Sequence, residues 1–118
     1  QAPVRRQERW SFRRGVIRPL LESDAGLVIS HGICPKFSDY DTYWMMANAM
    51  DEAIRNAVCV GGNPDFMAGV DNFCWCDPVE SERTPDGQYK MAQLVRACKA
   101  CSTSRWPTVC PASPARTA

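Results

Sequence analysis

Glu52 and Asn56 stand four residues apart in a stretch with helical periodicity, so both project from one helix face. A carboxylate and an amide oxygen at that spacing are hard oxygen donors, suited to Mg2+ beside a phosphate. The same pair also fits an ordinary solvated helix face, which is the commoner reading on spacing alone. Asp71 closes the apolar run 66–70 and precedes Asn72, Phe73 and Trp75. Carboxylates at strand ends recur in ligand sites of α/β proteins, and Asp-Asn pairs also form turns. Gly61-Gly62-Asn63-Pro64 offers backbone amides to a phosphate, but it lacks the lysine and spacing of a P-loop and reads as a helix stop. Seven cysteines invite a zinc reading. Cys74 and Cys76 are one residue apart, and that falls outside the usual ligand spacing of about two to four. Cys98 and Cys101 lie on a helical segment. Buried or incidental thiols describe them better. His31 is the sole histidine and has no motif partner, so a structural role suits it.

These residues need elements to position them. Val16, Ile17, Leu20 and Leu21 predict a short strand interrupted by Pro19, and residues 26–30 a better one. Residues 34–39 read as a loop. A helix is expected from Asp41, with Asp41 or Thr42 as N-cap. Its buried face is Tyr43, Met46, Met50, Ile54 and Ala57. Gly61-Gly62 ends it, and Asn63-Pro64-Asp65 turns the chain. Residues 66–70 predict a buried strand ending at Asp71. A polar loop spans 76–87. A second helix starts near Gln88, with Met91, Leu94, Val95 and Cys98 on one face. The order strand, strand, helix, strand, helix is an α/β or α+β layer arrangement with too few strands for a complete sheet.

The chain has 118 residues and a formal charge of +1. That length fits one small domain and excludes a multidomain enzyme within this chain. No apolar run approaches a membrane span of about 18 to 20 residues. No signal-peptide pattern opens the sequence, so we expect a cytoplasmic setting with no membrane partner. The near-zero charge hides an asymmetry. Residues 1–14 hold five arginines against Glu8, residues 15–101 hold seven basic and twelve acidic groups, and residues 102–118 hold Arg105 and Arg116. The ends lack hydrophobic periodicity and read alone as disordered arms.

Three strings in order carry a resemblance: DEAIRNAVCVGG (51–62), GVDNFCWCDP (69–78) and QLVRACKA (93–100). With the surrounding residues, from about Val16 to Cys101, the chain resembles phosphoribosylformylglycinamidine synthase, related to aminoimidazole ribonucleotide synthetase. The resemblance covers nearly three-quarters of this chain but a small part of the family's long synthetase chain. It implies an α+β fold, a partial α/β sandwich of the aminoimidazole ribonucleotide synthetase-like type with an incomplete sheet. It places the segment in the second of two homologous halves. Glu52 and Asn56 match the family's Mg2+ ligands, and Asp71 its strand-end contact to ATP. The implied reaction activates the amide oxygen of formylglycinamide ribonucleotide with ATP, and ammonia from a glutaminase subunit or domain then gives the amidine. Mg2+ suits such a step because it neutralises phosphate charge. The cofactors implied are ATP and Mg2+, and the partners are the rest of the synthetase chain and the glutaminase. The family's catalytic histidine lies in the other half, and His31 does not match it.

After QLVRACKA the family pattern continues toward a glycine-rich string, ISGKDS, where this chain reads STSRWPTVCPASPARTA. With third bases chosen freely, residues 101–118 can be encoded so that restoring one C after the first codon gives CLDFTVAYGVPCISGKDS. Residues 1–15 can likewise be encoded so that reading one base later gives KPLSGVRSDGPSDA, which resembles the family's segment before VIRPLLES. The resulting division is an out-of-frame or disordered arm at 1–14, a fragment of the ATP/Mg-binding synthetase domain at 15–101, and an out-of-frame tail at 102–118. The expected function is a piece of the synthetase, inactive alone. The alternatives are an arginine-rich nucleic-acid-binding module using residues 1–14 and Trp10, or a small zinc-binding protein.

Overall fold

The computed structural model describes residues 14–103 of the chain. Most of the arm, with Trp10, and the tail beyond Thr103, with Cys110, lie outside the described residues. Strands β1 (Arg14–Ile17) and β2 (Leu27–Ser30) pair antiparallel, with Arg14 opposite Ser30 and Ile17 opposite Leu27. β1 stops before Pro19, earlier than the expected strand, because proline has no N–H for the ladder. It also starts at Arg14, inside the segment assigned to the arm. Residues 34–39 are not an open loop. Pro35–Asp39 is a short 3-10 helix with proline in its first turn, where a missing N–H costs nothing.

Helix α1 (Thr42–Val58) starts where its cap demands. Asp41 is extended, and its carboxylate accepts the N–H groups of Tyr43 at 2.8 Å and Trp44 at 3.4 Å. Of the two cap residues expected, Asp41 does the capping. Gly61 has a φ of +93°, and the Gly62 N–H returns to the Ala57 carbonyl at 2.9 Å. That left-handed residue ends the helix, as its glycine type allows.

Residues 66–70 correct the sequence reading, since they form no strand. The two strands of the described residues pair with each other, and residues 66–70 add to neither outer edge. The Phe66 N–H instead closes a turn on the Asn63 carbonyl at 3.1 Å, and Phe66 and Val70 stay about four-fifths exposed, at 83% and 76%. Trp75 anchors the following extended stretch by donating its indole N–H to the Lys90 carbonyl at 3.1 Å.

Helix α2 (Gly87–Thr103) packs on α1. Its buried residues are Gly87, Ala97 and Ala100, whereas Met91, Val95 and Cys98 of the expected apolar row are exposed. The small alanines let the helix backbones approach. The helix runs two residues past the expected boundary at 101, and Thr103 shares a 2.9 Å hydrogen bond with the Tyr43 hydroxyl. The core is small: Met50, Ala57, Ala97 and Ala100, with Thr42. Thr42 is satisfied by the Gln93 carbonyl at 3.0 Å and side chain at 2.8 Å. Val16, Leu20, Leu21, Leu27 and Ile29 remain exposed. The architecture is α+β, two helices and a two-stranded antiparallel sheet. None of the described helices is long and apolar enough to cross a membrane.

Candidate functional site

The chain leaving β2 lies directly on α1. A side chain at position 32 would overlap the Ala49 carbonyl, so Gly32 is what permits this contact. Ser30 donates its hydroxyl to the Ala53 carbonyl at 2.8 Å. Glu52 accepts the Ile33 N–H on Oε2 at 3.0 Å, and the Cys34 thiol approaches the same oxygen at 3.7 Å. One turn on, Asn56 donates from Nδ2 to the His31 carbonyl at 3.1 Å. Its Oδ1 accepts from Arg14 Nη1 at 3.1 Å. Glu52 and Asn56 are therefore gathered on one face, as their spacing predicts, and that face is occupied by the segment 30–34. His31 enters through its backbone carbonyl.

This face holds two hard oxygen donors, each already engaged by a hydrogen-bond partner. The donors are one carboxylate and one amide oxygen a helical turn apart, which suits an ion that keeps several waters of its own. A positive group, the Arg14 guanidinium, already sits on the amide oxygen. The sequence gives no local sign of Arg14, because its position depends on the register of β1 against Ser30.

Asp71 goes elsewhere. It lies at the C-terminal half of α2 beside Cys98 and Cys101. Burial pushes the Cys101 thiol up to about 12, helped by the Asp71 charge, by Cys98 and by a hydrogen bond to Asp71. Burial and Asp71 also raise Cys98. Both effects disfavour a thiolate, so these cysteines are poor nucleophiles and poor zinc ligands as they stand. Cys34, Cys59, Cys74, Cys76, Cys98 and Cys101 form no disulfide. Among the described residues, no three His, Cys, Asp or Glu side chains gather into a metal-holding group.

Asp41 has a second partner besides its cap. Arg96 of α2 donates Nε to Oδ1 at 3.0 Å and a second nitrogen to Oδ2. This fork joins the start of α1 to the middle of α2 and holds the Asp41 carboxyl below its usual range. Beside it, Phe37, Tyr40, Asp41 and Trp44 line an open apolar groove of about 260 Å³.

The chain matches curated proteins over most of its length. It is 34% identical over 85 residues to phosphoribosylformylglycinamidine synthase subunit PurL of Thermoplasma volcanium, covering 72% of this chain and 10% of that one. It is 25% identical over 92 residues to the PurL subunit of Methanothrix thermoacetophila, covering 78% of this chain and 11% of that one. The chain thus spans about a tenth of the length of the curated relatives it matches. No family model matches, and no solved structure matches. Over the matched stretch the chain is related to a segment of the PurL subunit.

Proposed function

We propose that this chain is a segment of a synthetase of the phosphoribosylformylglycinamidine synthase family, derived from its ATP- and Mg2+-handling domain and inactive alone. The observation that carries this reading is the 34% identity to a PurL subunit over 85 residues. Two features of the molecule support it. Glu52 and Asn56 present hard oxygen donors on one turn of α1, held against the β2 exit. The core is confined to a few small or medium side chains, while large apolar residues such as Leu21, Phe66 and Val70 face outward. A domain is stable by only about 5 to 15 kcal/mol, so apolar faces without neighbours weigh heavily. Such faces suit a piece whose neighbours lie in a longer chain.

On this reading, Glu52 and Asn56 hold Mg2+ and Asp71 contacts ATP. Bound Mg-ATP supplies a transferable phosphoryl group and neutralises its charge. Glu52 and Asn56 also orient their own donors by bonding the backbone of 31–33, which limits their rotamers. Asp71 here shares a hydrogen bond with Cys101, so contact with a nucleotide requires it to exchange that partner. The parent reaction is the ATP-dependent conversion of formylglycinamide ribonucleotide and glutamine to the amidine, in the cytoplasm. The proposed partners are the remainder of the synthetase and a glutaminase subunit or domain, and the fold is the partial sandwich of the aminoimidazole ribonucleotide synthetase-like type. Residues 1–14 and 102–118 are proposed to be translated out of frame.

The test is an assay of the pure 118-residue chain for ammonia-dependent ATP hydrolysis. No turnover is expected. Turnover proportional to this chain contradicts the reading of an incomplete segment.

A further inference from the structure

From Met67 to Pro78 the chain runs without a turn, a bend or a helix. Its side chains alternate: Met67, Gly69, Asp71, Phe73 and Trp75 are partly buried, and the residues between them are exposed. A period of two is that of an extended strand with one face covered. The cover is α2. Asp71 sits beside Cys98 and Cys101 in the C-terminal half of that helix, and Trp75 bonds the Lys90 carbonyl near its start. From Asp71 to Trp75 an extended chain spans about 13 Å, and from Cys98 back to Lys90 a helix spans about 12 Å. The segment thus runs antiparallel along α2 at matched length.

It has the side-chain pattern of a strand and no strand beside it. Over residues 70–76 no main-chain N–H or C=O bonds another main-chain group of the described residues. In an extended chain these groups point sideways, between the covered and the exposed rows. A held row of open donors and acceptors is a template for a second strand. Proteins blunt such edges with lysine, proline or outward charges. Residues 67–76 contain no lysine, arginine or proline, and their one charge, Asp71, is on the covered face.

We propose that residues 67–76 pair, backbone to backbone, with the same residues of a second copy of this chain. Antiparallel pairing about a two-fold axis is self-complementary. An axis through Val70 sets Asp71 opposite Gly69, and an axis through Asn72 sets it opposite Phe73, so in either register no carboxylate meets its own copy. The exposed rows then join into one uncharged face that holds Ala68, Val70 and Cys74 of both copies. Ten residues a side is less than the roughly 20 to 30 of a stable complex, so the pairing is reversible and concentration-dependent. It does not depend on the cation and nucleotide roles proposed above.

Sedimentation equilibrium of the pure 118-residue chain, kept reduced so that no disulfide joins copies, reads the mass, and amide hydrogen exchange at low and high concentration reads the place. The weight-average mass should rise toward twofold on concentration. The amides of 70–76 should exchange about 10-fold more slowly in the concentrated sample. Val70→Pro removes a pairing N–H, and Val70→Lys puts a charge on the exposed row. Both should keep the helical circular dichroism and the mass of one chain at every concentration. Val70→Thr keeps the N–H and the branched shape, and should associate as the unaltered chain does. An unaltered chain that stays at the mass of one copy would overturn the proposal and leave the segment to a strand of a longer parent chain. Association that persists in Val70→Pro and Val70→Lys, or exchange protection confined to β1 and β2, would overturn it in favour of the exposed Ile17, Leu27 and Ile29. The exchange measurement needs no variant, so it decides even where a substitution unfolds the chain.

Discussion

Glu52 accepts the backbone N–H of Ile33 at 3.0 Å, tying the middle of α1 to the chain leaving β2. One carboxylate thus serves the fold and is the proposed ligand of a cation. Substitutions can separate the two roles. Glu52→Gln keeps an acceptor for the Ile33 N–H and removes the charge. It should leave the urea midpoint nearly unchanged while weakening Mn2+ binding. Glu52→Ala loses both, with about 1 kcal/mol of stability. Denaturation and metal titration on the two variants check this. A cation affinity that survives Glu52→Gln would assign the residue to the fold alone.

Asp41 and Arg96 should make the chain acid-sensitive. The Arg96 fork and the two capped N–H groups lower the Asp41 pKa from its ordinary 3.8. A carboxyl depressed in the folded state contributes stability above its unfolded pKa, and the contribution is lost as pH falls through the folded value. The urea midpoint should therefore drop on acidification below about pH 4. Asp41→Asn keeps a capping oxygen and loses the ion pair, so its midpoint should fall less steeply over that range. Parallel pH profiles for the two chains would remove Asp41 from the account.

Cys101 should be the slowest thiol to alkylate. With its pKa pushed up to about 12 from an ordinary 9.0, its thiolate fraction near pH 8 is about a thousandfold smaller than that of an unperturbed thiol. Exposed Cys59 serves as the reference. Iodoacetamide labelling followed by peptide mass spectrometry reads the order. Asp71→Asn removes a charge that raises Cys101 and should speed its labelling. Equal rates at Cys59 and Cys101 would contradict the burial and charge assigned here.

The frame reading makes a prediction in nucleotides. DNA across the codons for residues 101–118 should yield CLDFTVAYGVPCISGKDS on insertion of one base after the first codon. Codons that forbid this alternative reading would restore the tail as encoded sequence.

Local signals were legible in the sequence, and pairings across the chain were not. Asp41 as cap, the period of α1 and the glycine stop at Gly61 depend on a few adjacent residues, and each has its expected place. The local elements left α/β and α+β open, and the structure has the α+β arrangement of two helices and a two-stranded sheet. The strand expected at 66–70 failed because an apolar run becomes a strand only when it pairs, and this run pairs with neither described strand. The face of α2 shifted to Ala97 and Ala100 because its neighbour is another helix at close range, which favours small residues over Met91 and Val95. Glu52 and Asn56 were legible as a pair from their spacing. Their partners in 31–33, and Arg14, depend on how β2 lies on α1, which no local pattern encodes.

The central proposal, that residues 16–101 are a segment of a synthetase, is tested most directly by exchange. Residues 16–101 replace the matching stretch of the Thermoplasma volcanium PurL subunit, and ammonia- and ATP-dependent amidine formation is measured. The account predicts that the folded chimera is active and that Glu52→Gln within it weakens nucleotide-dependent Mg2+ binding. A chimera that is soluble and folded, by circular dichroism, yet shows no amidine formation would contradict it.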